Sequence, residues 1–290
     1  MRKDIQRAAE VIQKAHALLI TSGAGMGVDS GLPDFRGDEG LWKAYPPLKK
    51  RGLSLPSMST PHWFKTDPKF AWGFFGHRIM LYQKTVPHNG FRILQKWCKN
   101  RKKGHFVMTS NVDNQFQISG FDENEIVECH GSLSYFQNLE GSGSIWPCPK
   151  DFSLEIDTET FNAVSPLPTG PPDADPGQQT LSRPNVLMFN DHFWVDERTE
   201  QQFKRFSEWQ YRIMPSESLV VIEIGAGLAV PTIRYQSERS SSMNQNSYLV
   251  RINPRDTEIP RSKDISIPLG GLEALTLIDE CLNEMNNNET

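Results

Sequence analysis

No stretch of the 290 residues approaches about 18 consecutive apolar positions, so no membrane-spanning helix is expected. The four cysteines, Cys98, Cys129, Cys148 and Cys281, stand far apart and form no C-x-x-C pair. That spacing offers no structural zinc site, which wants two close pairs, and in a long chain without a secretion signal it argues against a disulfide framework. Neither sign of charge dominates: 31 Lys plus Arg stand against 35 Asp plus Glu, a formal net charge of -4. The broad positive footprint of a nucleic-acid-binding protein is therefore missing. The opening residues, MRKDIQRAAEVIQKAHALLI, break their apolar positions with charge, so no signal peptide is read and a cytoplasmic address is expected.

What is present is an alternation. Short apolar runs at Ala17–Ile20, His105–Thr109, Val186–Phe189, Leu219–Ile224 and Tyr248–Ile252 read as buried strands. Helical periodicity appears at residues 4–17, Asn89–Lys99, Glu197–Ile213 and Leu272–Glu284. Strands alternating with helices predict an α/β fold, a Rossmann-like doubly wound parallel sheet. Two stretches break the rhythm. Residues 39–92 are rich in Trp, Phe and His, and residues 132–185 are rich in Pro, Gly, Asp and Ser. The piece Pro166–Gly177 is expected to be irregular. Both stretches are read as one smaller inserted module, 39–92 plus 132–185, against a nucleotide-binding domain of 1–38, 93–131 and 186–290.

Gly23-Ala24-Gly25-Met26-Gly27 follows the first strand. Glycines at this place let the chain turn sharply and let a phosphate approach backbone N–H groups at a helix start. The pattern is not a full G-x-G-x-x-G, because position 28 is Val28, and the usual acidic residue at the end of a second strand is not evident. Alone, it fits a plain strand-to-helix turn equally well. The string Ser30-Gly31-Leu32-Pro33-Asp34-Phe35-Arg36-Gly37 then sets an acid, an aromatic ring and a guanidinium side by side on a loop. Arg36 suits a phosphate and Phe35 a flat cationic ring, or Asp34 and Arg36 simply pair with each other. His130 follows the apolar pair Ile126-Val127, which places an imidazole, the natural base near neutral pH, at the carboxyl end of a strand. Asn111 and Asp113 fall on the loop after the 105–109 strand, at the same end of the sheet; an Asx-rich turn is the plainer account.

Taken in order, these strings resemble the sirtuins, the family of NAD-dependent protein deacylases. The family string G-A-G-x-S-x-x-S-G-I-P-D-F-R is matched by Gly23 to Arg36, with Gly27 in place of the usual Ser. Gly40-Leu41-Trp42 and Trp63-Phe64 with Asp67-Pro68 match the helical module. Thr109 to Asp113 resembles T-Q-N-I-D, His130-Gly131 the His-Gly pair, and Arg183 to Phe189 the R-P-x-V-V-x-F strand. Gly225 to Pro231 resembles G-T-S-L-x-V-x-P, and Ile252-Asn253 matches I-N, so the likeness covers residues 5–280.

The resemblance implies a reaction that consumes one NAD per acyl group removed from lysine. The acyl oxygen displaces nicotinamide from the ribose, and a His then activates a ribose hydroxyl. The products are nicotinamide, O-acyl-ADP-ribose and free lysine. It assigns His130 as the base and Asn111 to the ribose and attacking water. It gives Asp113 and the Val112 backbone to the nicotinamide carboxamide. Gly23, Ala24, Gly25, Asp34, Phe35, Arg36, Ser110, Gly225, Ala226, Gly227 and Asn253 complete the expected NAD site. Val186 and Phe189 border the peptide cleft. The implied partner is an acyl-lysine protein or peptide, with no nucleic acid or membrane.

Four departures stand out. The region 133–185 has Cys148 where most sirtuins carry four zinc cysteines, so no metal is predicted, and Tyr135, Phe136, Trp146 and Phe152 are expected to hold the module by packing. Ser110 replaces a Gln, Ala226-Gly227 replaces Thr-Ser, and Asn190-Asp191 replaces Gly-Glu. Where acid-preferring sirtuins carry Tyr and, three residues on, Arg, this chain has Phe75 and Arg78, which share a helix face. Arg78 is either a carboxylate grip or a structural arginine. ADP-ribosyl transfer, NAD hydrolysis, and a non-catalytic NAD sensor or partner scaffold are the alternatives to deacylation.

Overall fold

The apolar runs of the sequence become the parallel strands of a six-stranded sheet in the computed structural model, which describes residues 1–34, 37–141, 143–175 and 177–288. In chain order the elements begin with α1 (Arg2–Gln13), β1 (Ala17–Ser22) and a 3-10 turn over Ala24–Ser30. Six helices follow: α2 (Gly37–Ala44), α3 (Pro46–Lys50), α4 (Leu55–Met58), α5 (His62–Thr66), α6 (Pro68–Lys84) and α7 (Asn89–Cys98). Then come β2 (His105–Thr109), α8 (Gln115–Ile118), β3 (Ile126–Glu128) and β4 (Gly131–Asn138). The middle of the chain adds β5 (Trp146–Pro147), β6 (Thr169–Gly170) and β7 (Thr180–Val186). It closes with α9 (Glu197–Tyr211), β8 (Leu219–Ile224), α10 (Thr232–Ser241), β9 (Tyr248–Ile252), β10 (Ile265–Ile267) and α11 (Gly271–Asn288).

The large sheet runs β10-β9-β8-β1-β2-β3, and every pairing in it is parallel. Its central strands β1 and β8 are buried along their whole length because both faces are covered, and the polar residues they carry are paired: Thr21 with Ser237, Ser22 with Thr109 and Glu223 with Arg251. The two-residue period of β1 sends Leu18 and Ile20 to one core with α1, α7 and α11, and Ala17 and Leu19 to another with α9 and α10. Order β8-β1-β2 reverses direction at β1, which opens a crevice at the carboxyl ends of those strands. None of the described helices is long and apolar enough to cross a membrane.

The second sheet, β5-β4-β7-β6, is small and antiparallel. It corrects two sequence expectations. The strand expected at 186–189 lies instead at Thr180–Val186 and pairs with β4, not with the large sheet. Apolarity misled there: the strand carries Ser182, Arg183 and Asn185 buried and hydrogen-bonded, whereas the apolar stretch after Val186 leaves the sheet. Region 132–185 is also more regular than its composition suggests, and Thr169–Gly170 of the proline-rich piece pairs with Leu181 and Thr180. A third apolar core joins this sheet to α6. Phe136 and Trp146 are buried in it with Trp72 and Phe74, and Phe152 packs against it. Tyr135 sits apart from that core, under the Arg198 guanidinium at 4.1 Å.

Candidate active site

The carboxyl ends of β1, β2 and β8 and the His130 turn after β3 surround a cavity of about 320 Å³, within the range of small-ligand sites. Two glycine turns form one wall. Gly25 N–H donates to the Gly225 carbonyl at 3.1 Å, and Gly23 N–H to the Ile224 carbonyl at 3.0 Å. Only glycine permits this approach: a Cβ on Gly225, whose φ is 63°, would lie 2.5 Å from Gly25 Cα. Asn253, fully buried, holds the second turn from behind; its Nδ2 donates to the Ala226 carbonyl at 2.7 Å.

The first turn is clamped by side chains from other elements. His88 Nε2 meets the Met26 carbonyl at 2.9 Å, while its Nδ1 accepts Gly90 N–H at 3.0 Å. The second bond makes Nε2 the protonated nitrogen, so the ring is neutral, and burial pushes its pKa below the usual histidine value. Ser30 Oγ accepts His88 N–H, and Asp29 Oδ2 accepts Leu272 N–H at the start of α11.

The β2 loop supplies the polar floor. Ser22 Oγ donates to Thr109 Oγ1 at 2.9 Å, and Thr109 Oγ1 accepts Asn111 N–H at 3.0 Å. Asp113 is 9% exposed, and its Oδ1 accepts Gln115 N–H. Burial raises its carboxyl pKa to about 6, with Glu128 adding to the rise and Arg78 opposing it. His130 faces this floor. Burial lowers its pKa, and a hydrogen bond with the Ser110 backbone works against that shift. A neutral imidazole at physiological pH is the state a general base needs. Thr232 Oγ1 stands 3.5 Å from its Nε2, the outer limit of a hydrogen bond.

Of the residues singled out in the sequence, Gly23, Ala24, Phe75, Arg78, Ser110, Asn111, Val112, Asp113, His130, Val186, Phe189, Gly225, Ala226 and Gly227 all line this cavity. Gly25 and Asn253 support its walls instead. Asp34 pairs outside the lining with Arg255 Nη2 at 2.9 Å. Phe35 and Arg36 lie outside the described residues. Tyr82 was missed: it lines the cavity, and its phenol accepts Arg78 Nε and Nη2 at 3.2 and 3.0 Å. Its i+4 spacing from Arg78 was the available signal. Ser59 and Leu55, from the helical module, gave none.

A four-cysteine zinc site does not fit the residues between 133 and 185. Cys148 is the one cysteine there, so three of the four thiolate ligands such a site needs are missing.

A family model described as the Sir2 family matches residues 23–191. An NAD-dependent protein deacylase of Thermus thermophilus is 24% identical over 277 residues, covering 94% of this chain and 93% of that protein. One of the same name from Aquifex aeolicus is 26% identical over 249 residues, covering 86% and 87%. A solved Sir2 homologue–NAD complex superposes with a TM-score of 0.63 at 20% identity, covering 98% of this chain and 94% of that one. The structural likeness speaks for the fold.

Proposed function

We infer that this chain, which belongs to the Sir2 family, removes acyl groups from protein lysines and consumes NAD in doing so. The observation that carries the reading is one cavity holding a neutral histidine, an Asn–Asp pair and two interlocked glycine turns. NAD is the co-substrate: it supplies the ribose that accepts the acyl group and loses nicotinamide.

His130 is proposed as the base that takes a proton from a ribose hydroxyl. Asn111, oriented by Gly23 and Thr109, holds the ribose and the attacking water. Asp113 accepts a carboxamide N–H, beside the Val112 backbone. The glycine turns and the Ser110 side chain are proposed to border the dinucleotide; the N–H groups of Gly23, Gly25 and Ser110 are themselves spent on the Ile224, Gly225 and Ser22 carbonyls. Asp34, Phe35 and Arg36 are proposed for the same ligand from the loop before α2. Val186 and Phe189 border the incoming peptide. Phe75 and Arg78, with Tyr82, meet the acyl end, where the buried guanidinium suits an acidic chain. No zinc is proposed.

One observation favours a second reading, ADP-ribosyl transfer or NAD hydrolysis. The hydroxyl and amide groups expected at 27, 110, 226 and 227 are reduced to Gly27, Ser110, Ala226 and Gly227, so the ribose is held by fewer side chains. The test is His130→Ala, assayed with NAD and an acyl-lysine peptide. Deacylation should fall by about 1,000-fold or more with the NAD KM little changed. A His130→Ala enzyme that deacylates at near wild-type rate overturns the reading.

A further inference from the structure

The side chains of Arg183 and Asp191 are both wholly out of solvent, and they are paired with each other. Arg183 Nη1 donates to Asp191 Oδ1 at 2.9 Å, and Nη2 donates to Oδ2. Nη2 also donates to the Val186 carbonyl at 2.7 Å, the point where β7 ends. Asp191 uses its remaining lone pairs on the backbone, accepting Met188 N–H at 3.2 Å and Phe193 N–H at 3.1 Å. The turn between them is tight, with Asn190 in the left-handed region at φ 56°.

Between the two charges runs the segment Leu187–Phe189, all of which lines the cavity. Its three N–H groups are committed elsewhere. Leu187 donates to the His130 carbonyl at 3.0 Å, Met188 to Asp191, and Phe189 to the Ser59 carbonyl at 2.8 Å. The segment is therefore fixed without a strand partner, by the ion pair at its two ends and by the backbone of the proposed base. Burying two charges costs desolvation that apolar residues of the same volume avoid. Here the pair returns a defined position for three cavity-lining residues.

We propose that Arg183 and Asp191 are a positioning pair for the acyl-lysine substrate. They touch neither reacting group; they hold Leu187–Phe189 in the shape against which the peptide and its acyl-lysine arm lie. The inference rests on the deacylase reading for what enters the cavity. Among the described residues, neither Arg183 nor Asp191 bonds to the NAD-facing glycine turns, so peptide and NAD parameters should separate.

The test measures KM for an acyl-lysine peptide and for NAD in full-length Asp191→Asn, with melting temperature and NAD binding as checks on folding. The expected result is a rise of about 5- to 20-fold in peptide KM with NAD KM within about two-fold. If leaving Arg183 without a counter-charge prevents folding, Asp191→Glu carries the test. It keeps the charge and lengthens the arm, and peptide KM should rise about 3- to 10-fold. An unchanged peptide KM in either folded variant, or equal shifts in both KM values, overturns the pair's role. Wild-type protein that consumes NAD with no dependence on acyl-lysine overturns the deacylase reading instead.

Discussion

Asn111 donates its Nδ2 to the carbonyl of Gly23 at 3.0 Å, joining the β2 loop to the first glycine turn beneath the cavity. One Nδ2 hydrogen is spent on Gly23 and the main-chain N–H on Thr109, so the side chain turns Oδ1 and its second Nδ2 hydrogen to a ligand. Asn111→Asp keeps the shape but sets a carboxylate against the Gly23 carbonyl. The expected outcome is a fall of roughly 10- to 100-fold in kcat/KM for NAD, checked by steady-state kinetics.

Asp113 trades stability for its place in the cavity. Its pKa is raised from 3.8 to about 6, so the folded state binds the proton more tightly than the unfolded chain. Below pH 3.8 both states are protonated and the effect vanishes; above about 6 the full penalty of a buried carboxylate applies. The penalty is on the order of 2–3 kcal/mol. Asp113→Asn should therefore raise the melting temperature by roughly 3–5 °C at pH 7–8, with the gain shrinking toward pH 4, while NAD-dependent activity is lost. Calorimetry across pH checks the sign.

The neutral His88 that clamps Met26 makes the opposite contribution. Its folded pKa is below the ordinary 6.5, so acid protonates the unfolded chain first. The clamp's stability is present above pH 6.5 and is lost as pH falls toward the folded pKa. His88→Ala should cost roughly 1–3 kcal/mol at pH 8 and raise the NAD KM, because Met26 and Gly27 lose their anchor. Its melting temperature should depend less on pH between 5 and 7 than that of wild type.

The small module is held by Phe136, Trp146 and Trp72 packing and by Trp72 Nε1, which donates to the Ser182 carbonyl at 3.1 Å. Treatment with a zinc chelator should leave both melting temperature and deacylation unchanged. A loss of more than about 2 °C on chelation would contradict this account of the module.

Much of this was legible in the sequence where a single physical signal decides. The doubly covered strands β1 and β8 announce themselves by the apolar runs Ala17–Ile20 and Leu219–Ile222, and the position of His130 after Ile126-Val127 follows from strand punctuation. The signals failed where partners are remote. Apart from the family motif, hydropathy does not mark Arg183 and Asn185 as strand residues, because their partners Asp191, Gln137 and the Val195 carbonyl are set by the fold. Asn253 was found by its motif, yet the motif does not tell a wall-lining residue from one that braces the wall. Tyr82 was missed because the phenol was sought three residues before Arg78 and lies four after it.

The most direct measurement is product analysis by mass after incubation with NAD and an acyl-lysine peptide. The account predicts nicotinamide, deacylated peptide and O-acyl-ADP-ribose in equal amounts. Free ADP-ribose or ADP-ribosylated protein in place of O-acyl-ADP-ribose, with the peptide still acylated, would contradict it.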